Sequence, residues 1–461
     1  MLRILDEGAS SQGMSRRVWM GVGGIGLGGL TLSGLLANRA RAGTDRPAKA
    51  KSVIIFGLMG GPPQHETWDP KPNAPPEIRG QYGTIASRTP GFRVGELMPR
   101  TSQLTDKLAV LRAVSTNDNA HSSSGYQMLT GFPHIPLSQE SSAPKAPNNY
   151  PSMGALMRAL RPETGGLPSA ITLPEHIWND GNFPWPGQDA GFLGTRYNPW
   201  LIHCDPSDPS FRLPALSLPG EVPPLRFSDR RSLLDQVNNH YDRIRRAGGT
   251  EAFSQHAQKA SELLHSANAR RAFELESEPS QVRERYGSSR FAQSCLLARR
   301  LVESGVGLVQ VNWTRIKDQP NGGGWDTHAK HNESIKNLLM PIMDQAFSAL
   351  IEDLEIRGLL DETLVVWFGE FGRTPRFNKD GGRDHWGSCF SLALAGGGIR
   401  GGVVHGTSDK NAALPVDGKV EAADLIATIF HCLGYSPETE IRDSFDRPIP
   451  LSRGKVIQAI L

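Results

Sequence analysis

The residues best equipped for chemistry lie in the C-terminal third of the chain. Asp326, His328 and His331 follow a Gly-rich loop, Glu370 sits just past an apolar run, and Asp384 and His385 follow Arg383. Carboxylate oxygen and neutral imidazole nitrogen are the donors of a hydrolytic divalent-metal site, which keeps one position open to polarise an ester oxygen or activate water. Plainer roles compete for several of them. Asp384 suits a turn cap or an ion pair with Arg383 as well as it suits metal ligation. His328 and His331 stand three residues apart at the entrance to a helix, so both can face one point, or one can support the other from behind. Glu370 ends a buried strand, where an unpartnered carboxylate is costly, and this favours a functional role.

These groups need strand ends to hold them. The apolar runs 306–312 and 363–368 flank a helical pattern over 332–357, which reads as a crossover in a parallel sheet. Open α/β sheets place their sites just past such strand ends. A first strand is expected over 52–58, running into the tight loop Met59-Gly60-Gly61-Pro62-Pro63. Further strands are expected over 108–114, 390–395 and 403–404, with a helix over 422–433. From about 165 to 225 the chain is rich in Pro, Gly and Trp without periodicity, and reads as an insertion over the site. A helical pattern returns from 229 to 303 and stops at Gly305. The motifs extend from 53 to 405, so one large α/β domain over 43–461, its central sheet largely parallel and flanked by helices, explains them better than separable domains.

The first 42 residues read as an export signal. Ser15-Arg16-Arg17 is a twin-arginine pair, a Gly- and Leu-rich apolar stretch follows, and Ala40-Arg41-Ala42 is a small-residue cleavage site. The protein is therefore expected in the periplasm or outside the cell, with no stable membrane span after removal of the signal. Five arginines against two acids in that segment account for the whole formal net charge of +3. The remainder is formally neutral, which gives no support to a nucleic-acid partner. Cys204, Cys295, Cys389 and Cys432 form no CxxC pair, so buried free thiols are expected rather than a zinc-cysteine site.

Several phrases carry a resemblance. GGPPQHETWDPKP at 60–72, HSSSGYQMLTG at 121–131, GGWDTHAKHN at 323–332, and FGEFGRTPRFN with GRDHW at 368–386 resemble the domain-of-unknown-function 1501 family. That family comprises exported bacterial proteins, many from planctomycetes, within the alkaline phosphatase-like superfamily of sulfatases and cofactor-independent phosphoglycerate mutases. The resemblance implies an alkaline phosphatase-like α/β sandwich and a divalent metal, zinc, manganese or calcium. It also implies an acidic ligand after the first strand, for which Glu66 or Asp69 stands, and an Asp-His pair, for which Glu370 and Phe371 stand. Asp326 with His331 or His328 resembles the Asp-x-x-x-His element, and His385 the later lone His. Phe371 removes one imidazole, so a mononuclear site, or a second site completed by different residues, is expected.

Aligned with the sulfatase motif C-x-P-S-R-x-x-x-L-T-G, His121 stands at the position of the formylglycine precursor. Formylglycine cannot be made from His, so ordinary sulfatase chemistry is excluded there. His121 is then a nucleophile, a ligand or a general base, and Ser122, Ser123 or Ser124 can offer a hydroxyl at the helix start or merely cap it. Arg373 and Arg383 can hold an anionic ester group or pair with structural carboxylates. The function expected is metal-dependent hydrolysis of phosphate or sulfate esters, glycan-linked ones included. The alternative is a non-catalytic scaffold that binds an extracellular glycan or protein partner, with Trp178, Trp185 and Trp200 stacking on sugar rings.

Overall fold

The computed structural model describes residues 48–140, 145–164, 166–179, 183–213, 266–443 and 445–461. The twin-arginine signal with its cleavage site, and the helical pattern over 229–265, lie outside the described residues.

The apolar runs become strands whose faces are both covered. β1 (Ser52–Gly57) is buried at every position. It is joined by β2 (Leu108–Ser115), β3 (Ala170–Leu173), β4 (Trp200–Leu201), β5 (Leu308–Asn312), β6 (Thr363–Phe368), β7 (Phe390–Ala395), β8 (Val403–His405) and β9 (Val420–Glu421). Among the described residues these form one sheet in the order β8-β2-β7-β6-β1-β5-β3-β4, with β9 also paired to β2. Only β7 runs antiparallel to its neighbours; the other pairs are parallel, as the crossover pattern predicts. β1 lies between β5 and β6, with Ile55 opposite both Gln310 and Val366. The loops that follow these three strands therefore emerge side by side at one end.

Helices cover both faces. α1 (His121–Thr130), α2 (Met153–Leu160), α3 (Arg290–Glu303), α4 (Met340–Ile356) and α5 (Ala422–Cys432) follow in chain order. One face packs Phe56 and Val311 against Phe291 of α3 and Phe347 of α4. The other packs Ile55, Val366 and Leu394 with Leu129, Met157 and Ile429 from α1, α2 and α5. The helix expected over 332–357 is interrupted: a short helix His331–Ser334 passes through a π turn, Ile335–Leu339, into α4. Pro341 in the first turn of α4 has no N–H to continue a regular ladder.

Part of the Pro- and Trp-rich segment belongs to the sheet. β3 and β4 extend its edge in parallel beyond β5, and the two-stranded hairpin Trp178–Asn179 with Phe183–Pro184 follows β3. The four cysteines carry free thiols, three of them buried. No helix among the described residues is long and apolar enough to cross a membrane.

Behind α3 and α4 sits a buried charge cluster. Arg299 is fully buried and meets Glu278 at 2.9 Å, Glu303 at 2.7 Å and Asp353 at 2.9 Å. Glu278 keeps Arg300 and Arg357, and Asp353 keeps Arg357, when the Arg299 guanidinium is removed, so Arg299→Ala is expected to lower the unfolding free energy in urea titration by less than the roughly 3–5 kcal/mol of a stranded buried charge.

Candidate metal centre

Four loops converge beyond the ends of β1, β5 and β6. The first holds Gly60, whose N–H donates to both oxygens of Glu370, at 2.9 and 3.1 Å. Gly60 has φ +110°, and a Cβ there would lie 2.6 Å from the Asp326 amide nitrogen. Only glycine lets the β1 loop close this tightly on the Asp326 loop. The second loop brings Asp326 past the end of β5, the third brings Glu370 past β6, and the fourth returns His385 on a short ribbon pairing His385–Trp386 with Gly372–Arg373.

Three imidazoles point at one carboxylate. His121 Nε2 is 3.1 Å from Asp326 Oδ2, while His328 Nε2 and His385 Nε2 each lie 3.0 Å from Asp326 Oδ1. Each ring is pinned from its far side. The Nδ1 of His121 meets Glu370 Oε1 at 2.7 Å, that of His328 meets Asp384 Oδ1 at 2.7 Å, and that of His385 meets the Asn119 carbonyl at 2.7 Å. All three partners only accept, so Nδ1 carries a proton in every ring; Asp326 also only accepts, so a ring whose Nε2 bonds to it without a metal is the doubly protonated imidazolium, and only a neutral ring presents an Nε2 lone pair. The His328 and His385 Nε2 atoms are moreover 2.9 Å apart. In that contact one Nε2 has to carry a proton, or a cation has to lie between the two. A proton can serve one ring at a time in the His328–His385 contact; a divalent ion would serve all.

Protonation follows the same logic. Burial opposes charge on His121, but the hydrogen bonds its ring donates to Asp326 and Glu370 outweigh it and raise its pKa to about 9. The Asp326 hydrogen bond likewise raises His328. Burial lowers His385. Burial works against the Asp326 carboxylate, yet bonds to His121, His328 and His385, together with Arg373, hold it far below the usual carboxylate range.

Of the two histidines the sequence left open beside Asp326, His328 faces the cluster. His331 does not, and neither does Glu66. His331 is buried, with Nδ1 2.6 Å from Thr327 Oγ1 and Nε2 3.5 Å from Glu66 Oε2. Glu66 in turn accepts from Arg383 at 2.6 Å. This second cluster already contains a cation in Arg383, which also stacks over Phe377, so its chemistry is that of a buried ion pair. Glu66 and His331, expected as ligands, thus lie together but apart from the Asp326 cluster. Asp69 lies in a third place, paired with Lys71 at 2.9 Å. Glu370 and Asp384 stand behind His121 and His328 and orient them.

His121 is the first residue of α1 and joins the candidate set: its donor atom and those of Asp326 and His385 lie within 4.8 Å of one another and could hold an ion. The serines after it are spent. Ser122 Oγ donates to Glu140 at 2.7 Å, Ser123 Oγ to Asp118 at 2.7 Å and Ser124 Oγ to the Glu370 carbonyl at 2.6 Å, and all three are buried. The Ser122 hydroxyl is thus bound to Glu140 in this structure. Arg373 is also buried and committed, donating to Asp326 Oδ1 at 2.6 Å and to the carbonyls of Gly60, Gly61 and Arg383. It sustains the charge on Asp326 and has no face left for an ester group. Phe371, in place of an imidazole, stacks on His385 with centroids 4.5 Å apart.

Sequence reasoning missed Glu140, Asn179 and the Gly60 amide, none of which carries a spacing signal. The cluster opens into a cavity of 1170 Å³ whose walls include His176, Trp178, Phe183, His203 and Trp313. Of the three tryptophans considered for stacking, Trp178 alone is exposed, at 37%; Trp185 is buried, and Trp200 is half-buried against Phe273.

No curated protein matches the chain. Among solved structures, a PsFucS1 sulfatase from Pseudoalteromonas sp. aligns at 14% identity and TM-score 0.39, covering 88% of this chain and 70% of that one. The phosphonate monoester hydrolase SpPMH from Silicibacter pomeroyi aligns at 12% identity and TM-score 0.36, covering 89% and 76%. A family model described as a protein of unknown function, DUF1501, matches residues 50–461. The chain belongs to that family.

Proposed function

We propose that the protein is an exported, metal-dependent hydrolase of phosphate or sulfate esters that works without a formylglycine nucleophile. The observation that carries this reading is the convergence of three Nδ1-pinned imidazoles, His121, His328 and His385, on Asp326. These four residues would hold a divalent ion. Three nitrogens and one carboxylate oxygen suit zinc or manganese better than calcium, which prefers an all-oxygen shell. A bound ion supplies Lewis acidity to an ester oxygen.

The chain's own residues do the rest. Glu370 and Asp384 fix the tautomers of His121 and His328, and Arg373 keeps Asp326 ionised as a ligand. Phe371 and Trp185 pack on the His121 ring and exclude water from that side. The cavity is far larger than a sulfate or phosphate group, and its size supports an ester with a bulky leaving group, glycan-linked substrates included. The binding-module alternative now rests on Trp178 alone, since Trp185 and Trp200 offer no free ring face.

Two outcomes are expected. Purified protein carries close to one equivalent of zinc or manganese by elemental analysis, and His385→Ala lowers both occupancy and hydrolysis of an aryl phosphate and aryl sulfate panel at least about tenfold. Unchanged metal and unchanged turnover in that variant would sink the reading. The second outcome concerns the metal-free protein. His121 has a folded pKa of about 9 against roughly 6.5 unfolded, so its contribution to stability is full below the unfolded value and is lost as pH rises through the folded one. The melting temperature of chelator-treated protein should therefore fall between these two values, and His121→Gln should flatten that slope. Metal-loaded protein should not show it, because the ion takes the proton's place.

A further inference from the structure

The ligand His121 hangs from a helix that cannot cap itself. Its N-cap residue, Ala120, has no side chain able to accept the first free N–H groups of α1. Glu140 does so from outside, with Oε1 2.7 Å from the His121 N–H and Oε2 3.1 Å from that of Ser122. A carboxylate suits this position, where the helix presents partial positive charge.

Glu140 is itself held by the hairpin that follows β3. Asn179 Nδ2 donates to Glu140 Oε2 at 2.6 Å and to Ser122 Oγ at 2.6 Å. The Oδ1 of Asn179 accepts from the indole N–H of Trp185. That bond decides the orientation of the amide, so Nδ2 has to face the carboxylate. Trp185 then lies on His121 itself, with ring centroids 5.7 Å apart and planes 25° from parallel. Gly125, one turn further along α1, makes room for the indole: a Cβ there would meet the Trp185 ring at 2.3 Å.

We propose that Asn179 and Trp185 are positioning residues for His121. The hairpin thus helps build the centre as well as walling the cavity. Glu370 fixes the ring of His121 from one side, while Trp185, Asn179 and Glu140 fix its ring face and backbone from the other. The inference rests on the metal-centre reading above and goes beyond it by assigning the centre's geometry to a segment that contributes no ligand.

The test uses the full chain loaded with cobalt(II), whose visible absorption reports ligand geometry without reference to any substrate. Asn179→Asp keeps the size of the side chain and its acceptor for Trp185, but turns a donor toward Glu140 into a like charge. Trp185→Phe keeps an aromatic ring beside His121 but loses the bond to Asn179 together with part of the indole. Asn179→Asp is expected to shift the cobalt spectrum and raise the metal dissociation constant about tenfold, and Trp185→Phe about threefold, in the range of outer-shell effects on metal sites. Trp178→Ala, on the same hairpin but outside this chain of bonds, should leave the spectrum unchanged. If wild-type protein takes up no cobalt, the metal-centre reading falls and the positioning roles with it. If wild-type protein binds cobalt and both variants match it in spectrum and affinity, the positioning roles alone are overturned. Should Asn179→Asp fail to fold, as judged by far-UV circular dichroism, the milder Trp185→Phe decides between these results.

Discussion

The Asp326 carboxylate is the constraint around which the strand ends are organised. It is partly buried and accepts Arg373 and three imidazoles at once. A buried anion with that many partners requires each partner to be held from elsewhere, or the cluster would relax into fewer, better bonds. The fold supplies those holds: Glu370, Asp384 and the Asn119 carbonyl on the rings, and three backbone carbonyls on Arg373. Gly60 completes the arrangement by lacking a side chain where one would collide with the Asp326 loop.

The second histidine cluster shows why residue type alone does not locate a metal site. Glu66 and His331 are donors as good as Asp326 and His385, and they too are close and buried. Charge balance separates the two places. Glu66 Oε1 is paired with the buried Arg383, a cation the protein itself supplies. Asp326 has Arg373, but Glu370 adds a second carboxylate through His121, and three imidazole Nε2 atoms are turned inward.

The sheet was legible because its strands are short apolar runs bounded by glycine and proline, and the observed limits of β6 and β7 match those runs. The antiparallel setting of β7 was not legible, since burial on both faces leaves no trace of direction. Nor was the membership of β3 in the sheet: four residues among prolines and tryptophans give no periodicity to read. At the site, Asp326, His328 and His385 could be found from their types and their place after strands. Choosing between His328 and His331 required the turn geometry at the helix entrance, where Lys330 adopts a left-handed conformation with φ +47°. That turn separates the directions of two residues only three apart. Glu140 and Asn179 act through tertiary placement, which no local pattern encodes.

The bond from Gly60 to Glu370 spans 310 residues, and that from His121 to Glu370 spans 249. No subset of neighbouring residues can therefore assemble the donor set before the sheet has closed, and an ion can be captured only by a finished fold. For divalent ions competing for nitrogen and oxygen donors, availability at the moment of capture weighs as heavily as intrinsic affinity. For the metal centre proposed above, the compartment in which the chain completes folding would then select the ion.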